Sequence, residues 1–510
     1  MDGVINIKRV IKNTLALYFR MFFLVLISLY TVRIVLDILG VNDYGIYNVI
    51  SGFVGLLGFI TGTLSSAAQR YFASNLVNND WEKINKLFFV NMVIALSISI
   101  IAIFFAETIG IWFISNQMII PLERMSSAII VFRLSVIIFI VSILVYPFIA
   151  LLVADENLSI YALISIFEGI FKLLIVYGLY IINYDKLIVY ATLITIVNIL
   201  INTFYVIYVV KNYNNLKIII CREKDNYKEM LFFMNWNLIG ALAVLLKGQG
   251  INIIMNLFFG PTINAAKGIS LQISNVILLF VQNFMKAITP QIIKSYAIGD
   301  HNVLLNLIDS TTKCSYFLLF FIAMPFIFNI EYVLSMWLIN VPEYTNIFVI
   351  LTLIDILLTE ITDVVENVIQ ATGKIRNFQL SAGLANLILN LPLVYIILKI
   401  DENPIYPLII CILVSIFISI LRIINLKLVY SFSISRFSRN ALFPIMVITL
   451  LVCFIDKIFF STPSNFFYLI YNILGSTITT IILIYVIGLN KREKIFFKNF
   501  ILTKFKKGKC

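Results

Sequence analysis

The chain has 510 residues, 61% of them hydrophobic and 13% charged, with a formal net charge of +12. The apolar residues are gathered into long blocks, which excludes an ordinary water-soluble domain and identifies a polytopic membrane protein, because lipid offers a polypeptide backbone no hydrogen-bond partners. A single histidine, His301, and five cysteines without paired spacing, Cys221, Cys314, Cys411, Cys453 and Cys510, argue against zinc sites and disulfide frameworks, so no metal or cofactor is expected.

A helix crossing a hydrocarbon core of about 30 Å needs roughly 20 apolar residues, and about fourteen such blocks follow one another along the chain. They begin near Leu15, Tyr44, Leu87, Met125, Leu158, Leu187, Met230, Ile263, Ser310, Asn346, Phe378, Ile405, Ala441 and Phe466. The expected fold is therefore all-α. Lys8, Arg9 and Lys12 precede the first block without a small-residue cleavage site, so that block reads as a retained span.

With the N-terminus in the cytoplasm, the inner connections hold Arg70, Lys83, Lys211, Lys217, Arg222, Lys294, Lys374, Arg436 and the tail from Lys491, whereas Arg124, Lys186, Lys399 and Lys457 lie outside. This asymmetry places both termini in the cytoplasm. The positive charge is accounted for by topology and attraction to anionic membrane lipids, without nucleic acid as a partner.

Landmarks recur in order. LFFGPTINAAKGIS answers ILGVNDYGIYNVIS, aligning Gly260 with Gly40, and LSMWLI answers IGIWFI, aligning Trp337 with Trp112. Ala371 before GKIR matches Ala154 before DEN, and Tyr395 matches Tyr177. An offset of about 220 residues throughout indicates an internal repeat. The expected organisation is a six-helix lobe over 1–210, a cytoplasmic connection over 211–229, a second six-helix lobe over 230–430, two additional spans over 431–490 and a basic cytoplasmic tail over 491–510. Parallel six-span copies are related by pseudo-two-fold symmetry along the membrane normal and enclose a cleft.

An ion at a helix centre costs about 2.5–3.5 kcal/mol on insertion scales, so each one in a span needs a cavity, a partner or the interface. Arg20 nears the cytoplasmic end of span one and can receive an anion there. Arg33 and Asp37, at i and i+4, form either an interfacial salt bridge or part of the cleft mouth. Arg133 faces the cleft or an acid on another helix. Glu168 and Lys172 read as a structural i, i+4 pair. Lys247, in VLLKGQGINII, faces a cavity or pairs with an acid of span ten; Lys267 and Lys286 either snorkel or face the cleft. In span ten, Asp355, Glu360, Asp363 and Glu366 fall within an arc of roughly 140°. They either pair with neighbouring groups or line a water-filled cleft where protons or cations couple.

The run RIVLDILGVNDYGIYNVISG, the WFI and WLI endings of spans three and nine, and the ATGK turn after span ten resemble Wzx-type polysaccharide flippases of the multidrug/oligosaccharidyl-lipid/polysaccharide (MOP) exporter superfamily. The resemblance implies a MATE-like fold, alternating access and transfer of undecaprenyl-pyrophosphate-linked oligosaccharide across the bacterial cytoplasmic (inner) membrane, for O-antigen, lipopolysaccharide or capsule synthesis. The two additional spans look like those of lipid II flippases, which makes Arg20, Arg33 and Lys247 counterparts by placement of their pyrophosphate-binding cations. The expected substrate-binding set is Arg20, Arg33, Asp37, Arg133, Lys247, Lys267 and Lys286; the expected ion-coupling set is Asp355, Glu360, Asp363 and Glu366. Expected partners are lipid-linked oligosaccharide, H+ or Na+, membrane lipids and a polysaccharide polymerase. GKIR lacks the remaining Walker A residues, so coupling is assigned to an ion gradient or membrane potential. The alternatives are a multidrug antiporter of the same fold and a membrane-bound polymerase or glycosyltransferase. The short outer connections gather no acid/base set, so no enzymatic activity is expected.

Overall fold

The computed structural model describes residues 7–77, 79–155, 157–182, 184–217, 219–221, 246–298, 301–372, 378–430, 432–460, 463–490 and 493–494. The start of the seventh block at Met230, the 222–229 part of the connection, the GKIR turn, the tail beyond residue 494 and the Lys286 side chain lie outside the described residues. The described residues are predominantly helical and include no strand, and eleven helices are long and apolar enough to cross a membrane. The chain is a multi-pass, all-α membrane protein. Three expected blocks are absent from that set: the second is merged with the helix of the first, the seventh is largely outside the described residues, and the tenth is split in two.

In chain order the helices are α1 (Ile7–Gly55), α2 (Gly58–Val77), α3 (Trp81–Asn116), α4 (Met125–Ala154), α5 (Leu158–Ile181), α6 (Lys186–Asn212), α7 (Ile251–Phe259), α8 (Pro261–Ile298), α9 (His301–Trp337), α10 (Thr345–Glu360), α11 (Asp363–Ala371), α12 (Leu384–Ile400), α13 (Tyr406–Val429), α14 (Ile434–Phe459) and α15 (Phe466–Leu483). Their packing forms two compact units. The first holds 1–268, 338–343 and 394–404; the second holds 269–337, 344–393 and 405–510.

In the first unit α4, apolar over most of its surface, packs against α1, α2, α3, α5 and α6 and buries Val131, Phe132, Val145 and Leu151. Lipid gives helices no hydrophobic reason to associate, so close packing and interhelical hydrogen bonds carry the assembly. Small residues permit that approach. A Cβ on Gly45 would lie 1.8 Å from the Pro261 carbonyl oxygen, and one on Gly268 would lie 1.9 Å from Asn48 Nδ2. Beside these contacts, buried asparagines satisfy one another: Asn264 donates to Asn252 Oδ1 at 2.8 Å and Asn256 donates to Asn264 Oδ1 at 2.8 Å.

The two glycines aligned in sequence share a backbone conformation. Gly40 has φ 75° and ψ 169°, and its sequence partner Gly260 has φ 74° and ψ −169°, a conformation that side chains with a Cβ rarely adopt. Each glycine ends one helical stretch and lets the next restart in a new direction. The residues that follow Gly40 are helical again to Gly55, where GFVGLLG interrupts the run before α2.

In the second unit α9 touches α10, α11, α14 and α15. The two C-terminal helices are fastened to it at several depths by polar pairs. Asn472 of α15 donates to Asn329 at 2.9 Å, where α9 departs from helical geometry, and Tyr316 and Thr449 share a hydrogen bond of 2.8 Å. Arg436 donates to Asp309 at 3.3 Å. Lys313, fully buried, donates to Gly488 O at 3.2 Å and to Glu493 Oε2 at 2.7 Å, while Ser310 donates to Glu493 Oε1 at 2.7 Å and the Asn490 N–H to Oε2 at 2.7 Å. Burial raises the Glu493 pKa, but the Lys313, Ser310 and backbone donors outweigh it and leave the group below the ordinary glutamate value.

Two outcomes follow from this packing. Gly45→Ala lowers stability by about 1–3 kcal/mol through overpacking, whereas Gly62→Ala, with nothing within 4 Å of the added carbon, leaves it unchanged or raises it by about 0.5–1 kcal/mol; thermal unfolding in detergent compares them. The depressed Glu493 pKa makes its contribution complete above the unfolded value and lost as pH falls through the lower folded value, from about pH 4 downward. Glu493→Gln is accordingly less stable than wild type at pH 7, and the difference shrinks on acidification when melting temperature is followed against pH.

Candidate functional site

Span ten is a broken helix. α10 ends at Glu360 and α11 starts at Asp363, with Thr362 at φ −117° and ψ 6° between them. A break within the membrane leaves backbone groups without intrahelical partners, and neighbouring side chains must supply them. Here α13 does so. Its Arg422 donates through Nη1 to Thr359 O at 3.4 Å and to Thr362 Oγ1 at 3.3 Å, and Thr362 Oγ1 donates to Ser419 at 3.1 Å. Through Nη2 the same guanidinium forms a salt bridge with Glu366 Oε2.

The four acids divide between two directions. Asp355 and Glu366 turn to α13: Ser415 donates to Asp355 Oδ1 at 2.6 Å, and Arg422 holds Glu366, whose other oxygen accepts from Gln370 at 3.3 Å. Ser415, Ser419 and Arg422, spaced by four and three residues, share one face of α13. Glu360 and Asp363 instead line a cavity of about 400 Å³ with Asn367 of α11 and Val281, Gln282, Met285 and Thr289 of α8. Glu360 is 6% exposed and its Oε1 has no hydrogen-bond donor. Two carboxylates, two amides and a hydroxyl facing one cavity make an oxygen-rich setting suited to a proton or a hard monovalent cation. Among the described residues no group of three or more His, Cys, Asp or Glu side chains is arranged to hold a metal ion.

The cations expected to bind substrate are dispersed. Arg20 stacks its guanidinium 4.7 Å from the Tyr161 ring, its Nε is buried without a hydrogen-bond partner, and it has no carboxylate partner among the described residues. Arg33 and Asp37 are half-buried and make no ion pair with each other. Arg133 is joined to Glu107 of α3 by two hydrogen bonds, 3.0 and 2.8 Å, so the acid on another helix is its partner. Lys172 and Glu168 pair at 2.6 Å as their spacing implied. Lys247 sits half-buried in a wide helical turn over Leu246–Gly250, and Lys267 is buried; both are engaged by neighbouring groups.

Several charged anchors escaped the sequence reading. Arg422 is the principal one, and its signal was the stripe Ser415, Ser419, Arg422 and Asn425 in an otherwise apolar span. Arg124, read as an outer-loop charge, bridges Asp43 at 2.5 Å and Asp185 at 2.8 Å.

No protein-family model and no curated protein matches the chain in sequence. In structure it is similar to an inward-facing multidrug resistance MATE family transporter of the MOP superfamily, with TM-score 0.65 and 12% identity over 79% of this chain and 94% of that one. It is similar also to the lipid II flippase MurJ in an inward closed conformation, with TM-score 0.65 and 14% identity over 96% of this chain and 100% of that one. A third likeness is to a MOP superfamily transporter from Pyrococcus furiosus, with TM-score 0.60 and 12% identity over 82% and 95% of the two chains. At these identities the shared property is the fold.

The Arg422–Glu366 bridge sets the stability expected of its variants. Arg422→Met leaves Glu366 without its counter-charge and lowers stability by about 3–5 kcal/mol. Adding Glu366→Leu to Arg422→Met recovers more than half of that loss, because no uncompensated charge remains; chemical unfolding in lipid–detergent micelles measures both.

Proposed function

We propose that the protein is a flippase that moves undecaprenyl-pyrophosphate-linked oligosaccharide from the cytoplasmic to the periplasmic leaflet of a bacterial inner membrane, by alternating access coupled to an H+ or Na+ gradient. The observation that carries this reading is coverage: the likeness to the lipid II flippase spans 96% of the chain, whereas that to the MATE transporter spans 79%. A fold likeness that extends over nearly the whole chain favours lipid-linked cargo over small organic cations.

The chemistry supports it. A sugar diphosphate crosses hydrocarbon at prohibitive cost unless cations and hydrogen-bond donors replace its water, while its polyprenyl tail stays in lipid. Arg20, with no carboxylate to neutralise it among the described residues, is the first candidate for the diphosphate; Arg33 and Lys247 are the next. Glu360 and Asp363 are proposed to take up and release the coupling ion, with Arg422 and Glu366 holding the helix break that positions them. The reading places both termini in the cytoplasm, breaks no bond and fits a polysaccharide polymerase as the downstream partner. One observation favours a multidrug antiporter instead: an acidic cavity also suits an organic cation.

Proteoliposomes carrying a fluorescent lipid-linked oligosaccharide separate the two readings. The flippase moves the lipid between leaflets faster under an imposed gradient, and the double variant Glu360→Gln/Asp363→Asn reduces that acceleration by about tenfold. No transfer of lipid-linked sugar, together with gradient-driven extrusion of cationic dyes, would establish the antiporter.

A further inference from the structure

A second cavity lies far from the carboxylates in sequence, within the first unit. α5 ends at Ile181, α6 begins at Lys186 and the two helices pack together, so the start of α5 and the end of α6 share one membrane face. Between them runs a groove of about 610 Å³. Its walls are Leu163, Phe167 and Phe171 from α5 and Phe204 and Ile207 from α6, and the end of α6 contributes Lys211.

The polarity of this groove changes along its length. From Ile160 to Phe171 it descends about 16 Å at the helical rise of 1.5 Å per residue, which is close to half of a hydrocarbon core of about 30 Å. All of its polar residues, Tyr208, Lys211 and Asn212, lie within the last five residues of α6, the end that the expected topology sets at the cytoplasmic headgroup level. Lys211 is exposed and has no ion-pair partner among the described residues. An apolar channel the depth of one leaflet, capped by one cation and a phenol, matches a lipid chain attached to a single phosphodiester. A diphosphate head would call for more than one cation, and a long polyprenyl chain would overrun the leaflet.

We propose that this groove is a binding site for an anionic glycerophospholipid of the surrounding bilayer, with one acyl chain between α5 and α6 and its phosphate against Lys211. The occupant is a resident lipid of the fold and is independent of the transported cargo. Its anionic head is selected by the ammonium group, and its chain by the aromatic walls.

Native mass spectrometry of the full chain, exchanged into micelles with equal phosphatidylglycerol and phosphatidylcholine, tests the assignment. Wild type retains phosphatidylglycerol in about fivefold preference, and Lys211→Gln, a surface change that leaves folding intact, brings the two lipids to parity. As a second readout, the indole introduced by Ile207→Trp is quenched more strongly by brominated phosphatidylglycerol than by brominated phosphatidylcholine in wild-type background, and equally by both when Lys211→Gln is added. Equal retention by wild type, an unchanged preference in Lys211→Gln, or displacement of phosphatidylglycerol by undecaprenyl pyrophosphate would each overturn the proposal.

Discussion

Arg422 answers a requirement imposed by the solvent. Hydrocarbon supplies no donor for a carbonyl and no water for a carboxylate, so a helix can break inside the bilayer, and carry acids at the break, only if the protein itself supplies both. One guanidinium reaches Thr359 O, Thr362 Oγ1 and Glu366 together. With Glu366 held in this way, Glu360 and Asp363 are left to face the cavity beside α8. The chemistry proposed for the cavity depends on that division of labour between the acid held by Arg422 and the acids that line the cavity.

The same constraint explains the attachment of the last two helices. A fully buried Lys313 is tolerable because Glu493, the Gly488 carbonyl and a hydroxyl-supported carboxylate geometry surround it. Asn472 meets Asn329 where α9 loses helical geometry, so a backbone irregularity again coincides with an interhelical hydrogen bond.

The sequence made the architecture legible because lipid enforces it: block length reports helices, and paired landmarks at Gly40 and Gly260 report equivalent turns that only glycine adopts readily. It made the acids of span ten legible for the same reason, as carboxylates in an apolar run demand an explanation. Direction was harder. A 140° arc drawn on a continuous helix could not anticipate the interruption at residues 361–362, which sends Asp355 and Glu366 to α13 and Glu360 and Asp363 to α8. Local spacing identified the Glu168–Lys172 pair, whereas Arg33 and Asp37, for which it offered a salt bridge or the cleft mouth, stand one turn apart without bridging. Partners distant in sequence, Glu107 for Arg133 and Arg422 for Glu366, are fixed by tertiary packing that no local pattern encodes.

Everything proposed for energy coupling rests on Glu360 and Asp363 exchanging an ion with the bath through their cavity. Infrared difference spectroscopy of the full chain in lipid, stepped in pH and in Na+, reads those carboxyl groups directly. The account predicts a carboxyl signal that responds to at least one of the two ions and vanishes in the doubly amidated variant. A spectrum in which that variant and wild type respond identically to both ions would contradict it.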